Sequence, residues 1–363
     1  MPTRTALLFA VAALAFATSA SAEDKVVNVY NWSDYIAKDT LANFTKETGI
    51  KVTYDVYDSM ETLEAKVYAG SSGYDVVVPT NPNLQRMIQA GVLQPLDKSK
   101  LPNDKSQWKF ISDRLAAYDP GNKYAEDDMW GTTGFGYNID KIKKIMPDAP
   151  VDSWAMVFDP KIVSKFKSCG VYFLDSPDDV IPSMLAYLGL DPNSKNPDDL
   201  NKAADALKKV APYVQKFPSS EYIDALANGD ICLAIGYSGD VFQARDRADQ
   251  AKNGVHIDYT IPKEGSLMWF DSMAILKDAP HPENALAFIN YMMNPKVAAA
   301  NTDYVSYPNG SLDAQKYVSK DVLSDPKIYP PQAIMDKTFT TTPFGQSIQR
   351  VVTRLWTSIK TGQ

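Results

Sequence analysis

Apolar and polar positions alternate with two periods from Val26 onward. Val26–Tyr30 is a short apolar run, and Thr40–Thr48 sets Leu41, Phe44 and Thr45 at helical spacing before Gly49, a helix stop. That pattern predicts one strand–helix unit. Ile50–Tyr57 alternates as a strand, Asp58 or Ser59 can cap a helix reaching Ala69, and Tyr74–Pro79 is apolar enough for a parallel strand buried on both faces. A short helix over 83–91 ends in Gly, and a loop rich in Pro and Lys follows. The segment Met129–Asn138 then resumes a strand-like run with Gly131, Gly134 and Gly136 spaced through it.

Residues 150–255 carry their own pattern: strands at Gly170–Leu174 and Ile231–Gly236, helices at Ser176–Gly189 and Leu200–Val210, and a polar loop at Asp191–Asp199. Ile257–Pro262 and Leu267–Leu276 read as strands returning to the first part of the chain, and Pro282–Asn294 as an amphipathic helix. Two α/β lobes joined by more than one crossing place a small-molecule site in the cleft between them.

Composition narrows the chemistry. The 363 residues carry 37 Lys and Arg against 44 Asp and Glu, a formal charge of −7, so a nucleic-acid surface would oppose the protein's own field. The two His, His256 and His281, and two Cys, Cys169 and Cys232, cannot assemble a structural zinc cage, and no metal or other cofactor is expected. Arg4, the apolar run Ala6–Ala17 and the ending Ser19-Ala20-Ser21-Ala22 read as a cleaved export signal over residues 1–22, with Glu23 beginning the mature chain. No later stretch has the roughly 18 uninterrupted apolar residues that span a bilayer. In an oxidising compartment Cys169 and Cys232 read as one disulfide, the alternative being two buried thiols. A loop of that length contributes about 3–4 kcal/mol in the chain-entropy account.

Acids sit beside aromatic residues in three separate places: Trp32-Ser33-Asp34-Tyr35, Tyr237-Ser238-Gly239-Asp240 and Trp269-Phe270-Asp271. Taken singly, each pair reads as a core ring next to a solvated carboxylate. Together they suit an organic diammonium: carboxylates neutralise the charged ends, and ring faces attract the cations and cover the methylenes. An exported hydrolase is the competing class, with Asp178 and Asp179 as paired carboxylates. Against it, Gly236-Tyr237-Ser238-Gly239 lacks the spacing of a nucleophile elbow, Gly131-Thr132-Thr133-Gly134-Phe135-Gly136 is not a dinucleotide fingerprint, and both His lie in polar stretches of surface-loop type.

Six stretches carry a resemblance: Tyr30-Asn31-Trp32-Ser33-Asp34-Tyr35-Ile36, Phe44–Val52, Gln94–Pro102, Ala149-Pro150-Val151-Asp152-Ser153-Trp154, Leu226–Cys232 and Ile261-Pro262-Lys263-Glu264-Gly265. In order and spread over the mature chain, they resemble the periplasmic putrescine/spermidine-binding proteins of ABC-type importers. The resemblance implies a two-lobed periplasmic binding protein fold, type II-like, each lobe a central sheet flanked by helices, with the cleft closing on a polyamine. Lobe 1 is then expected over 23–131 plus 257–305 and lobe 2 over 132–256 plus 306–363. It implies a periplasmic, monomeric protein that hands a small-molecule polyamine to an inner-membrane permease, with agmatine or cadaverine as alternative ligands.

Carried over by position, Trp32, Tyr237, Trp269 and Tyr307 are ring walls, Ser33 and Thr80 polar contacts, and Asp34, Asp179, Asp240 and Asp271 acidic ones, with Tyr35 as an addition. The resemblance also pairs Cys169 with Cys232. Two departures stand out. Relatives commonly carry Pro-Tyr where this chain has Asp127-Asp128 within Glu126-Asp127-Asp128-Met129-Trp130, and Thr80-Asn81-Pro82-Asn83 replaces a segment with serine and an aromatic. Three adjacent acids read either as a solvated loop or as extra charge facing the cleft, and the second reading favours an amine longer than putrescine.

Overall fold

The computed structural model describes residues 24–362, so the expected signal segment 1–22 and Glu23 lie outside the described residues. Nine strands among the described residues form one mixed sheet: β1 Val26–Trp32, β2 Lys51–Tyr57, β3 Val76–Val77, β4 Leu93–Gln94, β5 Ala125–Asn138, β6 Val171–Tyr172, β7 Leu233–Tyr237, β8 Ile257–Thr260 and β9 Leu267–Leu276. The order is β2-β1-β3-β9-β5-β7-β6, with β4 beside β9 and β8 beside β5. β1 runs parallel to β2 and β3, and β6 parallel to β7, whereas β9 and β5 are antiparallel to each other and to the strands flanking them.

Local chemistry accounts for the elements. Helix Thr40–Thr48 ends where Gly49, at φ 76°, turns its N–H onto the Thr45 carbonyl, and Ser59 caps Met60–Tyr68 by accepting from the Thr62 N–H. The expected strand Tyr74–Pro79 narrows to two paired residues, both fully buried.

Two bodies of apolar core lie along this sheet. One gathers Phe135, Trp154, Phe173, Met184, Phe242 and Tyr259, with Val352, Trp356 and Ile359 of the C-terminal helix Gln346–Thr361. The other gathers Val27, Phe44, Val76, Ile275, Phe288 and Ile289, with Leu63, Met87 and Leu115 in an adjoining cluster. The long strand β5, buried along its whole length, links the two regions, with Phe135 and Tyr137 in the first and Ala125 in the cluster adjoining the second, where Met273 and Ile275 of the equally buried β9 also lie. The bridge between Cys169 and Cys232 forms inside the first body, with 5.5 Å between Cα atoms.

Two expectations are corrected here. Glu126-Asp127-Asp128 is neither a solvated loop nor part of the cleft wall: it is buried strand at the start of β5, Glu126 pairing with Met273 and Asp127 with Ser272, while Asp128 is the extra residue of a bulge between Asp127 and Met129. Burial is tolerable because Lys98 pairs with Glu126, and because desolvation pushes Asp128 up to about 7 and Asp127 well above the carboxylate range, so that the charge is partly surrendered to protons. His281 lies in an irregular segment, as expected, but is partly buried. Its backbone N–H donates to the fully buried Asp75 at 2.6 Å, and its ring Nδ1 lies 3.1 Å from the same carboxylate.

Candidate functional site

In open α/β sheets the crevice lies beyond the carboxyl ends of the parallel strands. Trp32 ends β1 and Ser33 follows it, Asp58 and Ser59 follow β2, Thr80 lies just past β3, Leu174 and Asp175 just past β6, and Tyr237 ends β7. All of them line one cavity of about 100 Å³. Tyr35, Asp179, Asp240, Trp269, Asp271 and Tyr307 complete its polar and aromatic wall. Of the residues expected at the site, Asp34 alone among the ten main positions turns away. At φ 55° it holds Arg247 at 2.8 Å, while the same guanidinium reaches Asp224 at 2.6 Å.

Three of the cavity carboxylates, Asp179, Asp240 and Asp271, are each dressed by hydroxyls. Asp271 accepts from Thr80 Oγ1 at 2.6 Å and Tyr35 Oη at 2.7 Å, and Asp240 from Tyr222 Oη at 2.5 Å and Tyr307 Oη at 2.6 Å. Asp179 accepts from Thr133 Oγ1 at 2.6 Å, Ser176 Oγ at 2.5 Å and Tyr237 Oη at 3.2 Å. None forms a salt bridge among the described residues. Burial is the main cause of their raised pKa values: Asp271 rises to about 7, with Asp179 and Asp240 adding repulsion, Asp240 rises to about 6, and Asp179 moves up as well. The donated hydroxyls act the other way and hold the anionic form in reach. Asp240 and Asp179 also sit in the first turns of helices Ser238–Ala251 and Pro177–Tyr187, where the helix end favours negative charge.

Rings close the box. Trp269 meets Tyr237 at 5.5 Å and Tyr307 at 5.3 Å, both edge to face, and Tyr35 lies 5.3 Å from Tyr307. Tyr307 can approach only because residue 239 is glycine: a Cβ there would fall 2.6 Å from the ring. Uncompensated carboxylates, oriented by hydroxyls and enclosed by π faces, form a receptor for an organic cation. Among the described residues, no histidine lines this wall.

Sequence reasoning missed Asp58, Ser59, Glu61, Ser219, Ser220 and Thr341 and considered Asp178 only as half of a hydrolase pair; all are on the cavity wall. For Asp58 and Ser59 the signal was present, since both follow a strand of the parallel set. Ser219, Ser220 and Thr341 come from irregular segments that no periodicity marks.

Residues 39–330 match the family described as bacterial extracellular solute-binding protein. The chain belongs to that family. This solute-binding protein is 53% identical over 361 residues to the putrescine-binding periplasmic protein SpuD of Pseudomonas aeruginosa, covering 99% of this chain and 98% of the relative. It is 50% identical over 349 residues to the putrescine-binding periplasmic protein PotF of Escherichia coli, covering 94% and 93%. A solved structure of a putative spermidine/putrescine ABC transporter protein from Listeria monocytogenes superposes with a TM-score of 0.83 at 31% identity, covering 94% of this chain and all of the other. Such relatives are binding proteins of transport systems, which sets the hydrolase reading aside. The fold is accordingly that of two-lobed periplasmic binding proteins, as expected from the sequence. No helix among the described residues is long and apolar enough to cross a membrane.

Proposed function

We propose that this protein captures a linear polyamine, putrescine or a longer relative, in the cavity between Asp179, Asp240 and Asp271, and delivers it to an ABC-type inner-membrane permease. It does so as a periplasmic monomer released by cleavage of residues 1–22. The observation that carries the reading is the set of three hydroxyl-dressed carboxylates without a cationic partner, facing Trp269, Tyr237 and Tyr307. Two of them neutralise the terminal ammonium groups, and the rings pack on the methylenes between.

The lobes divide as 23–131 plus 257–305 and 132–256 plus 306–363, a division that the two bodies of apolar core support except at β8, whose Ile257 and Tyr259 pack in the core of the second lobe; the chain crosses within β5, before β8 and after Val305. On that division Trp32, Ser33, Tyr35, Thr80, Trp269 and Asp271 come from one lobe, and Asp179, Tyr237, Asp240 and Tyr307 from the other. Ligand charge therefore holds the lobes together. Asp34 contributes outside the cavity, through its Arg247 bridge across the same boundary.

Calorimetric titration of ligand-stripped protein with putrescine, cadaverine, agmatine, spermidine and n-butylamine tests the reading. Submicromolar to micromolar binding of a diamine, with n-butylamine at least a hundredfold weaker, is the expected result. Equal affinity for mono- and diamine would overturn it.

A further inference from the structure

Asp179 takes three hydroxyl donors, and they are not equivalent. Ser176 and Tyr237, which share its Oδ2, line the cavity themselves, so each touches whatever the cavity holds. Thr133, the donor to Oδ1 at 2.6 Å, is fully buried and forms no part of the cavity wall. Any effect it has on a ligand passes through the carboxylate.

Thr133 also occupies a particular place in the sheet. It is the last residue of β5 to pair with β9, opposite Leu267, and the first to pair with β7, opposite Tyr237. Before it the strand lies in the ladder that carries Trp269 and Asp271, and after it in the ladder of β7. Its carbonyl accepts from the fully buried Ser266 Oγ at 2.6 Å, and Ser266 belongs to the segment that joins β8, packed in the first body of core, to β9, which reaches the second. Close packing on either side leaves this stretch no room to shift: a Cβ at Gly131 would fall 2.6 Å from the Trp269 ring, and one at Gly134 would run into the Thr260 carbonyl. From this fixed point the hydroxyl reaches Asp179, the third residue of helix Pro177–Tyr187.

We propose that Thr133 is a positioning residue for the ligand: its hydroxyl holds the Asp179 carboxylate in one orientation against the strand at which the two ladders meet. On the polyamine reading, on which this rests, Asp179 is one of the carboxylates that meet the ligand's charge. A hydroxyl so close to a carboxylate oxygen donates its proton to it, and that bond is strongest to the anion. Burial pushes Asp179 above the usual carboxylate range, and the hydroxyls of Ser176, Thr133 and Tyr237 pull it back. Without the Thr133 donor a buried oxygen is left one bond short, a loss that weighs more on the charged form than on the neutral one. The carboxylate then moves toward protonation and loses its hold on an ammonium. The titratable groups around Asp179 are Asp178 on its own helix, Tyr237 on β7, Tyr259 on β8 and Asp271 on β9, and a change at Thr133 leaves all of them in place.

Thr133→Val removes the hydroxyl and nearly keeps the volume. Calorimetric titration of the mature protein with putrescine should find this variant about tenfold weaker than the wild type at pH 7.5, as for a lost hydrogen bond to a charged group. The loss should grow at pH 6.0, where the less supported carboxylate takes up a proton, and shrink at pH 8.5. Thr133→Ser keeps a donor and should bind within about threefold of the wild type. In an Asp179→Ala background, where no carboxylate is left to position, Thr133→Val should change affinity by less than about twofold. Wild-type affinity in Thr133→Val would overturn the proposal. So would a loss that ignores pH, a Thr133→Ser variant as weak as Thr133→Val, or an undiminished loss in the Asp179→Ala background, each of which would mean that Thr133 acts through packing alone. The polyamine reading is judged separately. Wild-type affinity in Asp179→Ala, with Asp240→Asn and Asp271→Asn still weakened, would overturn the role of Thr133 and leave that reading standing. Equal affinity of the wild type for putrescine and n-butylamine would overturn the reading itself, and with it the ammonium that Asp179 is held to meet.

Discussion

Asp271 is pulled both ways: desolvation and two neighbouring carboxylates push it up to about 7, while Thr80 and Tyr35 donate hydrogen bonds that favour its anion. A ligand ammonium shifts that balance toward the anion, and its loss is expensive because the partner charge stays buried. Truncating one member of a buried, hydrogen-bonded charge pair costs about 2–5 kcal/mol, so Asp271→Asn or Asp240→Asn should weaken putrescine binding at least tenfold by calorimetry. Tyr35→Phe is a finer probe. It removes one donor from Asp271 without removing charge, so affinity at pH 8 should fall only a few-fold, and the loss should grow as pH drops toward 6.5. A pH-independent loss would mean that Tyr35 acts through packing alone. Asp34 carries a different lesson: next to two cavity residues in sequence, it points elsewhere because its left-handed backbone and Arg247 draw it outward. Arg247→Met should therefore speed ligand dissociation in stopped-flow measurements more than it slows association.

At the scale of elements, what the sequence made legible was whatever has a local cause. Helix Thr40–Thr48 and strand Leu267–Leu276 occur as the sequence predicts, because a glycine stop and a largely apolar segment, broken only at Asp271-Ser272, need no tertiary information. The start of β5 was illegible for the opposite reason. Three consecutive acids are strand only because β9 supplies the ladder and Lys98 one countercharge, from residues 28 to 147 positions away. Most of the cavity's main residues followed from the family resemblance, whereas Ser219 and Thr341 depend on where irregular segments fall in space. The disulfide joins the start of β6 to that of β7, two parallel neighbours that the sheet already holds together. Thiol labelling of denatured, unreduced protein should find no free cysteine. The double variant Cys169→Ala/Cys232→Ala should lose about 2–4 kcal/mol of stability in urea denaturation, with putrescine affinity within threefold of wild type. A large loss of affinity at preserved stability would place the bridge in the binding mechanism.

For the whole molecule, buried acids decide how stability follows pH. Asp271, Asp128 and Glu126 rise to about 7, Asp240 and Asp178 to about 6, and Asp127 rises too, each chiefly through burial. In the unfolded chain these groups titrate near pH 4. Between about pH 4 and 7 the folded protein therefore binds more protons than the unfolded one, and stability falls as pH rises through that window. Ligand-free protein should melt at a higher temperature at pH 5.5 than at pH 7.5. Putrescine reverses the preference at Asp240 and Asp271, since it needs their anions. Its stabilising effect should be largest above pH 7 and shrink steadily toward pH 5.5, so that the melting curves with and without ligand converge on acidification. Binding near neutral pH should also release protons, seen as a calorimetric enthalpy that varies with the ionisation enthalpy of the buffer. Asp127→Asn removes one of the raised carboxylates and should flatten the ligand-free slope without changing the sign of the putrescine effect. A ligand-free melting temperature that falls on acidification from 7.5 to 5.5, together with a ligand increment independent of pH, would show that the buried carboxylates do not carry the protons this account assigns them.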